Sequence, residues 1–412
     1  MRILNGKAAA QRVVQLERRS SDLSDLEPRV RLIVEDVRLH GDDALLRYAS
    51  KWDGIVGRNL KVSQSEMERA WNNASPRLRT SLRKAAQNIR RFSSWQRPLA
   101  WSRRVNGMKL GQVVRPIGSV GCYVPGGRHP LVSSLLMTVI PAQVAGVLEI
   151  SVVSPKPGSE MLAAAYMLGV RQFYRVGGAQ AIAALAFGTK TIPRVDKIVG
   201  PGNRYVTIAK KLVAFDCAID FLAGPTEAVV VSHAGNPAFV AADLVAQGEH
   251  DPDALPIFIT SSENLAQRTA GAVKALMESN DIARQSVDRN GCVLLASSRA
   301  QAMEWANRIA PEHITVDSAD LPLVQNAGSI FLAPYSAQAA GDYATGPNHV
   351  LPTAGIAHFR GGLSVLDFVK IITVQELSER GLRKIGPTIT YLAEVEGLRA
   401  HAESIRVRCA RA

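Results

Sequence analysis

Ser119-Val120-Gly121-Cys122-Tyr123-Val124, followed by Pro125-Gly126-Gly127, is the stretch from which the rest of the chain can be read. Its first six residues are small, β-branched or aromatic, and a proline and two glycines end the run, which is the pattern of a strand. The Ala/Val/Leu-rich segment Val132 to Ala145 then has the composition of a buried helix. The same unit recurs. Glu149 to Ser154, Gln172 to Val176, Lys197 to Val199 and Ala228 to Ser232 read as strands. Met161 to Leu168, Ala179 to Leu185 and Val206 to Leu212 read as the helices between them. Such alternation predicts an α/β fold with a mainly parallel sheet and helices on both faces. Ligands of these folds sit outside the carboxyl ends of the strands. Three loops qualify: Tyr123 to Gly127, Val176-Gly177-Gly178-Ala179-Gln180 and Val199-Gly200-Pro201-Gly202-Asn203. Glycines there let backbone approach a nucleotide, although ordinary tight strand-to-helix turns also use them. The G-x-G-x-x-G fingerprint is absent; Gly200 to Tyr205 stops one glycine short.

Residues 1–20 read as an N-terminal arm or helix, and Pro28 to Trp95 as largely helical. Arg77 to Arg104 is strongly basic and carries Phe92, Trp95 and Trp101. It is the best candidate for binding nucleic acid. Its basic residues are spread round the helix without a nucleic-acid motif, which favours a solvated basic face with its aromatics in the core. Beyond Thr260 a second alternation follows, with strands at Gly291 to Ser297, Ile314 to Val316 and Ser329 to Leu332. The helices between are Glu263 to Met277, Arg299 to Ile309 and Leu321 to Asn326. From Leu363 the chain reads as mostly helical, with Thr373 to Leu377 opening one helix.

The 412 residues suffice for two or more domains. Lys and Arg number 49 against 36 Asp and Glu, and the net charge of +13 allows a phosphate-bearing partner. Cys122, Cys217, Cys292 and Cys409 lie far apart, as reduced thiols of a cytoplasmic protein would. Residues Met1 to Asn5 lack the apolar core of a signal sequence. Leu131 to Ile150 has bilayer length, but Ser133, Ser134, Thr138, Pro141, Gln143 and Glu149 favour a buried helix, a turn and a strand. No membrane association is expected.

Gln247 and His250, three apart near the end of the apolar run from Pro237, share a helix face before Pro252. By spacing alone they read equally as solvated polar residues at a helix terminus; with Asp342 and His401 they give two nitrogens and two oxygens, a reasonable zinc shell. Adjacent Glu312 and His313 put two bases at one point, as proton transfer and water activation require.

These residues lie within a longer series of motifs. It runs through Tyr123 to Gly127, Val139 to Gly146, Gly200 to Asn203 and Ala223-Gly224-Pro225-Thr226-Glu227 to Gln247-Gly248-Glu249-His250. It continues with Pro311-Glu312-His313, Gly341-Asp342-Tyr343, Asn348 to Thr353 and Glu396 to His401. In content and order the series resembles the L-histidinol dehydrogenase family over nearly the whole chain.

The resemblance implies a zinc ion held by Gln247, His250, Asp342 and His401, and NAD contacts at Tyr123, Gln180 and Asn203. Glu312 and His313 would be the proton acceptors. Substrate would touch Thr226, His313, Glu396 and the zinc ligands, with His349 a further candidate. The implied reaction is oxidation of L-histidinol to L-histidine through the aldehyde, reducing two NAD. The implied assembly is a homodimer in which Glu396 and His401 serve the partner's site. A paralogue oxidising another small alcohol is the alternative, and a basic nucleic-acid-binding protein the remaining one. Thr226 stands where the family often has Ser, and Gly248 where many members carry Ala. The role of the loop 358–362 is open. The expected fold is two incomplete Rossmann-like domains with parallel sheets, a small N-terminal arm and a helical C-terminal segment. In this division 121–229 binds NAD, and 21–120 joins 230–362 in a discontinuous domain carrying the zinc and catalytic residues. Residues 1–20 form the arm, and 363–412 a C-terminal segment swapped in the dimer.

Overall fold

Ser119–Tyr123 becomes the central strand of a five-stranded parallel sheet. Across this sheet the strands run Gln172–Tyr174, Glu149–Val153, Ser119–Tyr123, Lys197–Val199 and Ala218–Ile219. The first strand in sequence is therefore the third in space, and the chain leaves it in both directions. That reversal opens a crevice between the ends of Tyr123 and Val199. The computed structural model describes all residues except 20–22, 56, 58, 127–130, 333 and 411–412. Gly127 of the first glycine loop, and the boundary between the expected arm and the next domain, lie outside the described residues.

A second parallel sheet has six strands in the order Arg2–Asn5, Cys292–Leu295, Leu255–Thr260, Glu227–Val231, His313–Val316 and Ser329–Leu332. Without its first strand this is the same doubly wound order as the other sheet. The N-terminal segment holds the expected helix and adds a strand: Arg2–Asn5 pairs with Cys292–Leu295, and Gly6–Glu17 buries Ala9, Val13 and Leu16 against this sheet's core. Four residues are too few to show a strand by alternation, so the sequence reads only the helix that follows.

The helices of residues 27–95 also depart from expectation. They cover the five-stranded sheet, not the six-stranded one. Glu27–His40 packs on Gly178–Phe187 and Arg204–Val213, Gln64–Asn73 on Ser159–Met167, and Pro76–Trp95 on Val132–Ala145. The reason lies in those inner helices. Every residue from Ala179 to Ala186 is buried, and Val132–Ala145 buries ten residues. A helix apolar all round needs a layer outside it as well as the sheet inside.

The third sheet is antiparallel, with strands in the order Val369–Leu377, Met108–Pro116, Trp101–Val105. After a short 3₁₀ helix, Val365–Phe368, the C-terminal segment continues as a nine-residue strand where Thr373 to Leu377 was expected to open a helix. The strand carries Ile371, Ile372, Thr373 and Val374, and β-branched residues favour a pleated surface. Asn106 and Gly107, with φ of 53° and 81°, make the tight turn of its neighbouring hairpin. Two helices, Glu379–Val395 and Arg399–Cys409, complete the chain and pack chiefly on each other. Leu321 to Asn326, expected as α-helix, lies at a short 3₁₀ segment over Ser318–Leu323. Trp95 and Trp101 are exposed, not in the core as the reading of the basic stretch assumed. Leu131 to Ile150 is the expected helix, turn and strand, with Gly146 at φ 92° closing the helix. Among the described residues no helix is long and apolar enough to cross a membrane.

Candidate active site

The candidate catalytic residues gather at the amino ends of the six-stranded sheet, opposite to the end that α/β topology favours. His313 is the first residue of its strand and Glu312 immediately precedes it. Glu227 opens the adjacent strand. The helix Pro237–Gly248 starts at the carboxyl end, capped by Asn236, and returns antiparallel to the strands. Its last turn delivers Gln247 to the same amino end. Gln338–Tyr343 brings Asp342 there.

A continuous line of polar contacts joins these groups. The Gln247 Nε2 donates to Asp342 Oδ2 at 3.0 Å. Asp342 Oδ1 lies 3.5 Å from His313 Nε2, and His313 Nδ1 lies 3.7 Å from Glu312 Oε2. Glu312 Oε2 accepts the backbone N–H of Glu227 at 3.1 Å. His313 Nδ1 is buried and has no hydrogen-bond partner. Burial pushes the Glu312 carboxyl up to about 8, against the opposing pull of His313 and the Glu227 N–H. Burial would depress His313, but the Glu312 and Asp342 carboxylates outweigh it and hold the imidazole above its ordinary value. Asp342 is held low: the hydrogen bond and charge of His313 overcome its burial. The arrangement is a buried acid–base pair with a spare imidazole nitrogen, suited to passing protons.

Beside it lies a cavity of about 360 Å³ lined by His313, Phe331, Tyr335, Asp342 and His349 among others. His349 is fixed at both nitrogens, Nδ1 2.7 Å from the Asp342 carbonyl and Nε2 3.1 Å from Ser134 Oγ. Thr226 is half-buried directly before Glu227. The loop 358–362 now has a place. Arg360 donates to the Asp220 carbonyl, pairs with Asp367 and lies over Phe221, tying the loop to the segment that leads to Thr226. At Gly248 a Cβ would meet Ser286 Oγ at 2.7 Å, so the neighbouring hydroxyl fills the room an alanine would need.

The expected zinc ligands divide. Gln247 and Asp342 are buried and in contact. His250 lies past the helix end and is exposed. Glu396 and His401 are exposed on the C-terminal helix pair, with no side-chain bond to the other site residues. Among the described residues no three His, Cys, Asp or Glu side chains are placed to hold a metal ion. The donor types still suit zinc: a carboxamide, a carboxylate and imidazoles.

The expected cofactor residues lie at the carboxyl ends of the five-stranded sheet. The Tyr123 hydroxyl accepts the Gly178 N–H at 3.1 Å, and burial pushes its pKa up to about 12. Gln180 is buried, donates to Asp53 Oδ2 at 3.2 Å, and leaves its Oε1 without a partner. That orphan acceptor fits a cofactor amide or hydroxyl. Asn203 caps the helix Arg204–Val213 by accepting from Tyr205 and Val206. Two of the loop glycines answer to packing. A Cβ on Gly126 would lie 1.9 Å from the Pro155 carbonyl, and one on Gly200 2.1 Å from that of Tyr123.

Three contributors escaped the sequence reading. Asp53 ends a helical turn and accepts from Gly177 and Gln180. Lys210 and Asp220 form a buried ion pair that clamps both the N–H and the carbonyl of Gly200. Arg19 binds Glu227. Of these charges only Asp220, in Cys217-Ala218-Ile219-Asp220-Phe221-Leu222, stands in an apolar run that could have signalled it; Asp53 and Arg19 have charged neighbours and partners more than a hundred positions away.

A doubly wound sheet with polar groups at its switch point, in one chain with a buried pair suited to proton transfer, fits the class of α/β oxidoreductases. The comparisons make this specific. Residues 16–409 match the Histidinol dehydrogenase family. A histidinol dehydrogenase of Methanothermobacter thermautotrophicus is 46% identical over 95% of this chain and 96% of its own. One from Haloarcula marismortui is 46% identical over 95% of each. The crystal structure of histidinol dehydrogenase from Elizabethkingia anophelis superposes with a TM-score of 0.95 at 35% identity, covering 99% of this chain and 98% of that one. The chain belongs to the histidinol dehydrogenase family.

Proposed function

We propose that the chain oxidises L-histidinol to L-histidine through the aldehyde, in two successive hydride transfers to NAD, with one zinc ion per subunit. The observation that carries this reading is the buried Glu312–His313–Asp342–Gln247 line. His313 accepts the alcohol proton as hydride departs, through the nitrogen that lacks a partner. Glu312, beside it, takes a proton from the water that adds to the aldehyde, so that a second hydride can leave. Gln247, His250, Asp342 and the partner's copy of the residue at position 401 would hold zinc. When bound, zinc supplies a redox-inert template for the substrate's nitrogens. Tyr123, Gln180 and Asn203 would meet NAD, the hydride acceptor, and the unpartnered Gln180 oxygen supports this. Thr226 and Glu396 would contact substrate.

A homodimer supplies the missing ligands. The helix pair carrying Glu396 and His401 exposes Tyr391, Leu392, Val395 and Leu398, and the antiparallel sheet before it exposes Trp101, Ile371, Ile372 and Val374. Apolar surface on this scale marks an interaction face. A cytoplasmic setting suits the four free thiols.

The test is NADH formation from purified protein, NAD and L-histidinol, before and after chelation and return of zinc. Two NADH per histidinol, lost with the metal and restored by it, are expected. Bound zinc without turnover would point to another small alcohol.

A further inference from the structure

Arg19 lies just past the helix Gly6–Glu17, 208 positions from its partner Glu227. Its guanidinium grips that carboxylate with two parallel bonds, Nε to Oε1 at 2.6 Å and Nη2 to Oε2 at 2.5 Å. Both side chains are withdrawn from water, with 13% and 3% of their surface exposed. The remaining donors reach the backbone behind the catalytic pair. Nη1 binds the Ile309 carbonyl at 2.7 Å and that of Leu16, and Nη2 lies 3.4 Å from the Ala310 carbonyl. Ala310 has φ 47°, a left-handed conformation that alanine rarely adopts, and Pro311-Glu312-His313 follow it directly.

Glu227 completes the tie. Its backbone N–H is the donor on Glu312 Oε2, and its Oε1 also accepts the N–H of Ala354 at 2.7 Å. Arg19 thus fixes both ends of the short path to Glu312: the carbonyls that precede it and the strand start that binds its carboxylate. We propose that Arg19 is a positioning residue for the reaction, holding Glu312 and His313 in register through Glu227 and the strained turn at Ala310. This rests on the reading of Glu312 as the water-activating base.

The pair is energetically one-sided. A buried carboxylate stripped of its partner is costly, while the planar fork of Arg cannot be copied by Lys. A displacement of the order of 1 Å at a catalytic base costs about 100-fold in rate. Arg299 provides the comparison. It binds buried Asp320 in the same half of the molecule, away from the catalytic pair.

The experiment measures kcat and KM of the zinc-loaded enzyme for Arg19→Met, Arg19→Lys, Arg299→Met and Glu312→Gln. Arg19→Met is expected to lose about 100-fold in kcat with KM for NAD unchanged. Arg19→Lys is expected to recover part of that loss, and Arg299→Met to keep wild-type kcat. Equal kcat in Arg19→Met and Arg299→Met would overturn the assignment. If Arg19→Met does not fold, Arg19→Lys decides: full kcat refutes the tie, and a lowered kcat at unchanged KM upholds it. Full turnover in Glu312→Gln would instead sink the reading of Glu312 as base. An inactive Glu312→Gln beside a fully active Arg19→Lys would sink this inference alone.

Discussion

Two regions that resemble the same family site are held in opposite ways. The line from Gln247 through Asp342 and His313 to Glu312 is buried within one chain, and each member lies within 3.7 Å of the next. Glu396 and His401 ride on two helices that pack chiefly on each other and expose both side chains. The first region owes its geometry to the core of the six-stranded sheet. The second packs apart from the first within this chain. On the proposed reading, one chain prepares the catalytic centre and the helix pair of a partner completes it.

The severest way to break this contrast is His401→Asn. The variant is expected to lose bound zinc and all turnover above background, yet to elute as a dimer. Metal content, NADH formation and sizing chromatography check this. Full activity would remove His401 from the site.

Next comes Glu312→Gln. Loss of a general base costs about 10²- to 10⁴-fold. The loss should fall on oxidation of the aldehyde more than of the alcohol, measured by supplying each separately. Equal loss in both steps would contradict water activation.

Mixing the two inactive dimers sharpens the comparison further. After subunit exchange, half the dimers are mixed, and each has one site with an intact Glu312 and an intact partner histidine. Activity should return to about a quarter of wild type, as two-fold symmetry requires. No recovery would mean that each chain uses its own His401.

The smallest effect concerns the metal-free chain. Glu312 holds its proton up to about 8, above the ordinary carboxyl value of 4.5. Its protonated form thus stabilises the fold fully below about pH 4.5, and that stabilisation is lost as the pH rises through about 8. Denaturation of the metal-free protein between pH 5 and 8 should show a shallower decline in Glu312→Gln than in the wild type. Identical slopes would mean that Glu312 is not the group responsible.

Much of the architecture could be read from local signals. The apolar helix Val132–Ala145, the strands around Tyr123 and Val199, and the second alternation beyond Thr260 each announce themselves within a dozen residues. The hairpin at Asn106-Gly107 had a local signal too, since that dipeptide favours the positive φ values of a tight turn. Reading Thr373 to Leu377 as a helix start misjudged a β-branched run whose register comes from its partner strand.

The α/β class and the three glycine loops were legible in the sequence, because they depend on neighbours a few positions apart, where backbone sterics and hydrophobic periodicity act. The candidate residues for proton transfer and metal binding lie far apart and were drawn together by the family resemblance. Long-range packing placed residues 2–17 in the six-stranded sheet, residues 27–95 over the other sheet, and Arg19 behind Glu312. It also brought the candidate catalytic groups together at the amino ends of their strands, with His401 apart from them. Contacts of this kind join residues hundreds of positions apart. They arise because an all-apolar helix must be covered and a buried charge must be paired, whichever part of the chain supplies the partner.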